Sequence, residues 1–166
     1  FGSSDGTLFY NSENKLIQVK IPNSRSISEI LQGEDGQIYI LPQGNAIFSL
    51  NPSNPEVIKQ YEFPSEYNVF SAAFSDSGEL LIGSQGNILV CQISSDTITV
   101  NRVIDGFNYS GVTAIHRTNE SSLYIAGTED NGLFQLKMAE GRDELSRFRG
   151  HPEWSEIRVN SIIEDS

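Results

Sequence analysis

One pattern recurs along this 166-residue chain and constrains its fold more than any other feature. A short apolar strand runs into an Asp/Ser-Gly turn, and the turn runs into a second apolar strand. The pattern is legible at Ile27-Ser-Glu-Ile-Leu-Gln-Gly-Glu-Asp-Gly-Gln-Ile-Tyr-Ile40 and at Val69-Phe-Ser-Ala-Ala-Phe-Ser-Asp-Ser-Gly-Glu-Leu-Leu-Ile-Gly83. It returns at Val112-Thr-Ala-Ile-His-Arg-Thr-Asn-Glu-Ser-Ser-Leu-Tyr-Ile-Ala-Gly127, and Val159-Asn-Ser-Ile-Ile-Glu-Asp-Ser166 starts a further copy. Ser4-Asp-Gly-Thr-Leu-Phe-Tyr10 supplies a turn and a strand without the strand before it. Taking Gly6, Gly36, Gly78 and Ser121 as the turn positions gives, by subtraction, separations of 30, 42 and 43 residues. The longer intervals fit a four-stranded propeller blade of about 40–50 residues. The short first interval predicts a blade with a missing or truncated strand.

Within each repeat the reading is β throughout. The first strand, as in 69–74, is small or apolar on both faces, which suits an inner strand covered on both sides. Asp-Gly and Asp-Ser-Gly tolerate positive φ and close hairpins. Second strands follow at 37–41, 79–83 and 122–126. A second turn carries Gln43-Gly-Asn45, Gln85-Gly-Asn87 or Asp130-Asn-Gly132, then third strands at 46–50, 88–93 and 133–137. Weaker fourth strands are expected at 57–63, 97–104 and 145–149. The nearest approach to a helical period, 138–148, contains Gly141 and too few apolar residues for a stable helix. The expected fold is all-β: a β-propeller fragment of about three and a half to four four-stranded antiparallel blades. It divides as a single partial propeller into pieces 1–26, 27–68, 69–111 and 112–158, with the next blade starting at 159–166.

Such a chain closes in one of two ways. Residues 159–164 pair with 7–10 to complete a small ring, or the chain is an arc of a larger ring. The arc is favoured here, because Ser166 stops inside a hairpin and the chain reads as a mature or excised piece. The rest of the parent propeller, or a second copy, would then cover the open edges, which proteins avoid leaving bare.

Composition removes several function classes. There are 11 Lys+Arg against 22 Asp+Glu, a net charge of −11. Nucleic acid is an unsuitable partner, since phosphate binding needs a basic footprint. No apolar run reaches the length of a membrane-spanning helix, so no direct insertion is expected. The single cysteine, Cys91, makes neither an internal disulfide nor a Cys-rich zinc site. His116 reads as structural in an inner strand, and His151 as a loop residue. Ser3-Ser-Asp-Gly-Thr7 and Ser75-Asp-Ser-Gly78 have the wrong spacing for sialidase boxes and read as turns. Asp130-Asn-Gly132 lacks the fuller acidic loop that calcium requires. A glycosidase needs a carboxylate pair, and the sequence singles out none. No metal, cofactor or catalytic residue is expected.

The repeat resembles that of the two-component regulator propeller family, Val-x-Ser-Ile-x-Glu-Asp-Ser-(Gly)-x-Leu-Trp-Ile-Gly-Thr-x-x-Gly-Leu. The matching residues are Val159-Asn-Ser-Ile-Ile-Glu-Asp-Ser166, Leu123-Tyr-Ile-Ala-Gly-Thr128 with Gly132-Leu133, and Leu80-Leu-Ile-Gly-Ser84 with Gly86. Tyr124 and Leu81 stand where that family usually has Trp, and Leu41-Pro42 replaces its Gly-Thr pair in the first full repeat. The resemblance implies the periplasmic sensor part of a hybrid two-component receptor, of the kind found in gut Bacteroidetes. Such sensors detect oligosaccharides and signal to a cytoplasmic histidine kinase and its phosphorelay.

By this reading the chain is a non-catalytic extracytoplasmic sensor module with an oligosaccharide as its ligand. The alternatives are a protein-interaction propeller whose acidic surface engages a basic partner, and a fragment of a glycan-active enzyme. A ligand would meet the loops joining an outer strand to the next inner strand, at 22–26, 64–68, 106–111 and 150–156. Those loops hold Arg25, Tyr67, Phe107, Tyr109 and Trp154. Aromatic rings stack on sugar faces while a polar neighbour fixes orientation. The bland alternative is that Phe107 and Trp154 cover the ends of the blade core.

Overall fold

The structure is a computed structural model. It describes the whole chain except residues 13, 14, 25, 43, 45, 65, 140, 141, 149–153, 155, 165 and 166. The strands are β1 (Thr7–Ser12), β2 (Lys15–Lys20), β3 (Ile27–Gln32), β4 (Ile38–Pro42), β5 (Ala46–Asn51), β6 (Asn54–Glu62) and β7 (Ser71–Phe74). They continue as β8 (Leu80–Gly83), β9 (Asn87–Ile93), β10 (Ile98–Asp105), β11 (Val112–Arg117), β12 (Leu123–Thr128), β13 (Leu133–Ala139) and β14 (Arg142–Arg147). Each of β3–β6, β7–β10 and β11–β14 is an antiparallel meander of four strands, and β1–β2 is a two-stranded half-blade. The fold is a β-propeller fragment.

The blades stack face to face, and the pleat decides which neighbour each side chain meets. In the second blade Leu80, Ile82, Leu89 and Cys91 join Tyr39, Leu41, Ile47 and Tyr61 of the first. The alternate residues Leu81, Ile88 and Val90 join Tyr124, Ala126, Phe134 and Leu136 of the third. The half-blade packs Leu8 and Val19 against Ile40, Phe48 and Leu50 of the first. Burying each such aliphatic side chain stabilises by about 1.5–3 kcal/mol. A blade covered on both faces therefore alternates between two cores and shows no polar face.

A second contact repeats at the inner end of three blade junctions. The Val112 N–H donates to the Ser84 carbonyl (3.0 Å), and the Val112 carbonyl accepts from Ser71 Oγ (2.8 Å). One blade on, the Val159 N–H donates to the Thr128 carbonyl (2.9 Å), and the Val159 carbonyl accepts from Thr113 Oγ1. Ile27 makes the corresponding bond to the Ser3 carbonyl (3.3 Å). A glycine sits beneath each of these three junctions. A Cβ on Gly83 would collide with Ser71 Oγ and the Val112 carbonyl, and one on Gly127 would collide with Val159.

These bonds correct the expected turn assignment at the N-terminus. Ser3 accepts from Ile27 of the next blade as Ser84 accepts from Val112 and Thr128 from Val159, so Ser3 opens a second turn. Gly6 is therefore the second turn of its blade, not the first, and β1 and β2 are third and fourth strands. The short first interval came from comparing unlike turns, and the blade β3–β6 has all four strands. Residues 1–3 are the end of the preceding second strand, bridged to β1 through Gly2 and Leu8. The third repeat's turn also shifts by one: Ser122, at φ 61°, occupies the left-handed position that Gly36 and Gly78 hold elsewhere.

Residues 159–164 lie where a next inner strand belongs, with Val159 buried, but form no ladder. Residues 7–10 pair with β2 on one side and meet residues 1–2 on the other. Among the described residues, the small-ring pairing of 159–164 with 7–10 is not made. Gly83→Ala should lower stability by about 2–3 kcal/mol through overpacking. Gly78→Ala, at φ 78° in open space, should cost only about 1 kcal/mol of backbone strain. Urea denaturation of both variants checks the order.

Candidate functional site

The connections between blades share one end of the fold with the second turns, because a four-stranded meander returns its fourth strand to the end where its second strand finished. The loop between β10 and β11 is held most tightly there. Ser110 N–H closes onto the Phe107 carbonyl (3.0 Å), and the Ser110 carbonyl accepts from Gly86 (2.9 Å). Ser110 Oγ accepts from the Asp130 N–H (3.2 Å), and Asn131 Nδ2 donates to the Phe107 carbonyl (3.3 Å). Gln85 Nε2 donates to the Tyr109 carbonyl. Turns of the second and third blades thus clamp the loop from both sides. Asn108 and Tyr109 both adopt left-handed backbone, at φ 52° and 62°. Neither residue is glycine, so the loop carries strain that its clamps offset. The clamped loop presents the Tyr109 ring 88% exposed.

The other expected ligand residues separate. Phe107 is wholly buried, edge-on to Phe134 with ring centroids 5.0 Å apart. It closes the core between the second and third blades and is not available to a ligand, which corrects its inclusion among the candidates. Tyr67 is half-buried on the preceding loop, with its ring 5.9 Å from Phe63. Trp154 is 40% exposed and stacks on Phe148 at 6.2 Å. Tyr67, Tyr109 and Trp154 therefore sit on three successive inter-blade loops at one end. Arg25 and His151 lie outside the described residues.

The motifs read as turns form turns. Ser75 accepts from Gly78 N–H (3.0 Å) through its carbonyl and from Glu79 N–H (2.9 Å) through Oγ. Asn131 N–H donates to Thr128 Oγ1 (3.0 Å). Among the described residues no group of His, Cys, Asp and Glu is placed to hold a metal, and no helix is long and apolar enough to cross a membrane. His116 Nε2 lies 3.5 Å from Glu164 at the chain's open edge. Burial, with a smaller effect from Glu79, pushes the Cys91 thiol up to about 12.

At the opposite end, charged groups tie neighbouring blades. Asp76 accepts from the Ser122 N–H (2.5 Å) and Ser121 Oγ (3.2 Å) and pairs with Arg117 (2.5 Å). The Ser122 hydrogen bond, aided by Arg117, holds its carboxyl below the usual carboxylate range. Arg102 spans Glu79 (3.1 Å) and Asp143 (2.8 Å) across the second junction. Two clefts open on this end. One of about 730 Å³ lies between the first and second blades, and one of about 470 Å³ between the second and third. The ligand residues expected from sequence were all sought at the other end. The signal for the larger cleft was present, but only as a departure between aligned repeats.

No protein-family model matches the chain, and no curated protein matches it. Solved structures do. Two of them are the extracellular domain of BT4673 from Bacteroides thetaiotaomicron, described in one as a one-component system and in the other as a hybrid two-component system. Each superposes with a TM-score of 0.67, at 17% and 18% identity. The alignments cover 98% of this chain and 24% of those chains. This chain thus spans about a quarter of their length. The likeness is one of fold.

Two solution measurements follow. The depressed Asp76 pKa means its bridge stabilises above the ordinary carboxylate range and is lost as pH falls through the folded-state value. Asp76→Asn should be less stable than wild type at neutral pH, and the two urea midpoints should converge well below pH ~4. Cys91 should resist iodoacetamide in the native state at pH 8 and react fully in urea, because the buried thiol stays protonated.

Proposed function

We propose that this chain is part of a non-catalytic, extracytoplasmic sensor domain of a hybrid two-component receptor, responding to an oligosaccharide. The observation that carries the reading is Tyr109: a ring 88% exposed on a left-handed loop clamped by two blades. Backbone strain held in place by surrounding structure is concentrated at binding sites. A rigid exposed aromatic presents a face to a sugar at low entropic cost. The fold likeness to the BT4673 extracellular domain, under its description as a hybrid two-component system, supports the receptor context. The propeller-repeat resemblance supports the periplasm as the compartment and a glycan fragment as the ligand.

Signalling by such a module is a population shift. The ligand must bind one arrangement of the receptor better than the other, and a clamped loop between two blades can report on their relative position.

Reading the gene on either side of Phe1 and Ser166 is the test of context. A downstream membrane span followed by a histidine kinase is the expected result, and a complete glycan hydrolase would overturn the proposal. In the full ectodomain, Tyr109→Ala should weaken oligosaccharide binding by about tenfold, roughly 1.4 kcal/mol, with an unchanged circular dichroism spectrum. Titration calorimetry measures both proteins.

A further inference from the structure

We infer that the cleft between the first and second blades is a binding site for an uncharged, polyhydroxylated ligand: one or two residues of a neutral oligosaccharide. The inference begins with a comparison of equivalent positions. Across the second blade, Leu81, Val90 and Arg102 form one cross-strand row, with Ile104 on the same face. The aliphatic members fill the junction with the third blade. In the first blade the same row is Tyr39, Ser49 and Lys59, with Tyr61 in place of Ile104. Three aliphatic side chains are thus replaced by three that carry hydroxyls, on a face whose job in the sibling blade is only to be covered.

The geometry puts those hydroxyls at the base of the 730 Å³ cleft. That volume is within the range of small-molecule sites, about 300–1,000 Å³. Tyr39 Oη donates to Asp35 (3.0 Å), and Ser49 Oγ lies 3.4 Å from Tyr61 Oη. The Ser49–Tyr61 contact is at the long limit of a hydrogen bond, so a better-placed ligand hydroxyl can replace it. Phe74 of the second blade, edge-on to Tyr39 at 5.3 Å, supplies an apolar wall. The amides of Asn51 and Asn54 line the mouth. Aromatic and apolar walls with converging hydroxyl and amide groups suit a sugar ring, which has an apolar C–H face and a polar edge.

Charge selects a neutral ligand. In the second junction Arg102 pairs with Glu79 and Asp143, on the lining of the smaller cleft. Its counterpart Lys59 instead pairs with Asp96 (2.8 Å), on the neighbouring blade's exposed turn. That leaves the one cation among the described lining residues neutralised, with Glu34 and Asp35 at the rim. On a chain of net charge −11, that field repels uronates and sulfated sugars. All walls come from two complete blades of this chain, so the site needs no other part of a ring. That the ligand is a signal rests on the sensor reading above. That the cleft binds it does not.

The test uses the 166-residue protein with xylotriose, cellotriose, mannotriose and arabinotriose, and with trigalacturonate as the anionic arm. Saturation-transfer NMR detects binding and calorimetry ranks it. Ser49→Val and Tyr61→Ile install the sibling blade's own residues and so favour folding. Asn54→Ala, on an exposed strand end, is a further variant independent of the core. The expected result is binding of at least one neutral trisaccharide, weakened about tenfold or more by Ser49→Val and reduced by Asn54→Ala. Trigalacturonate should give no signal. Neutral binding that survives Ser49→Val and Asn54→Ala would overturn the cleft while leaving the sensor reading intact. Silence from every neutral probe, or preference for trigalacturonate, would overturn the cleft's ligand class. Binding in the cleft combined with a parent gene lacking any transducer would sink the sensor reading and leave the cleft standing.

Discussion

The covering of one blade's face by the next is the interaction on which this structure depends. A four-stranded sheet this small cannot hide two apolar faces by itself. The second blade shows the solved case. Leu80, Ile82, Leu89 and Cys91 go one way, Leu81, Ile88 and Val90 the other, and all are fully buried. The third blade shows the other side of the same rule. Ile125 and Leu133 occupy the register positions of Leu81 and Ile88 but are only half-buried, with no blade in front of them among the described residues. The difference lies in the neighbour, since the sequence pattern is the same.

Close approach at the inner end makes that stacking specific. Gly83 and Gly127 allow the entering Val112 and Val159 to reach within hydrogen-bonding distance of the previous blade. Ser71 and Thr113 then cap the valine carbonyls. A hydroxyl, a glycine and a valine from two blades thus set the spacing of the radial array. The backbone groups concerned would otherwise be unpaired at a junction. In the first full repeat Leu41 stands at the glycine position, buried in the core with Ile47 and Phe63, so that junction is packed by an aliphatic side chain. The cleft with its hydroxyl-bearing base lies at this same junction.

The strand order and three full blades were legible because period-two apolar runs and glycine turns report directly on hairpins. Gly6 was misassigned because both turns of a blade are Gly-containing and flanked by apolar strands. Ser3-Ser-Asp-Gly resembles Asp76-Ser-Gly78 as a string. Only the bond from the next blade's Ile27 N–H to the Ser3 carbonyl, the counterpart of Val112 to Ser84, separates them. Ser122 escaped notice because a left-handed serine carries no glycine to mark it. In the loops, periodicity is silent. Phe107 and Tyr109 are two residues apart between the same glycines, yet one plugs a core and the other stands in solvent. Which way each points is decided by the clamps from Asn131, Asp130 and Gln85, contacts that come from turns distant in sequence.

A blade face that trades aliphatics for hydroxyls gives up burial free energy, about 0.8 kcal/mol for each methylene equivalent lost. It also brings polar atoms to a junction where they must be paired. The first blade meets that requirement locally. Tyr39 is anchored on Asp35, Ser49 on Tyr61, and the Tyr61 ring lies 5.5 Å beneath the Lys59 ammonium. Burial and the Asp35 carboxylate both push the Tyr39 phenol upward, so it remains a neutral donor at physiological pH. The second blade needs none of this, because Leu81, Val90 and Ile104 pack without partners to satisfy. Stacking alone would be served as well by the aliphatic version, which this chain already contains one junction away. The hydroxyl version therefore carries polar groups that stacking does not require, at the junction with the larger of the two clefts.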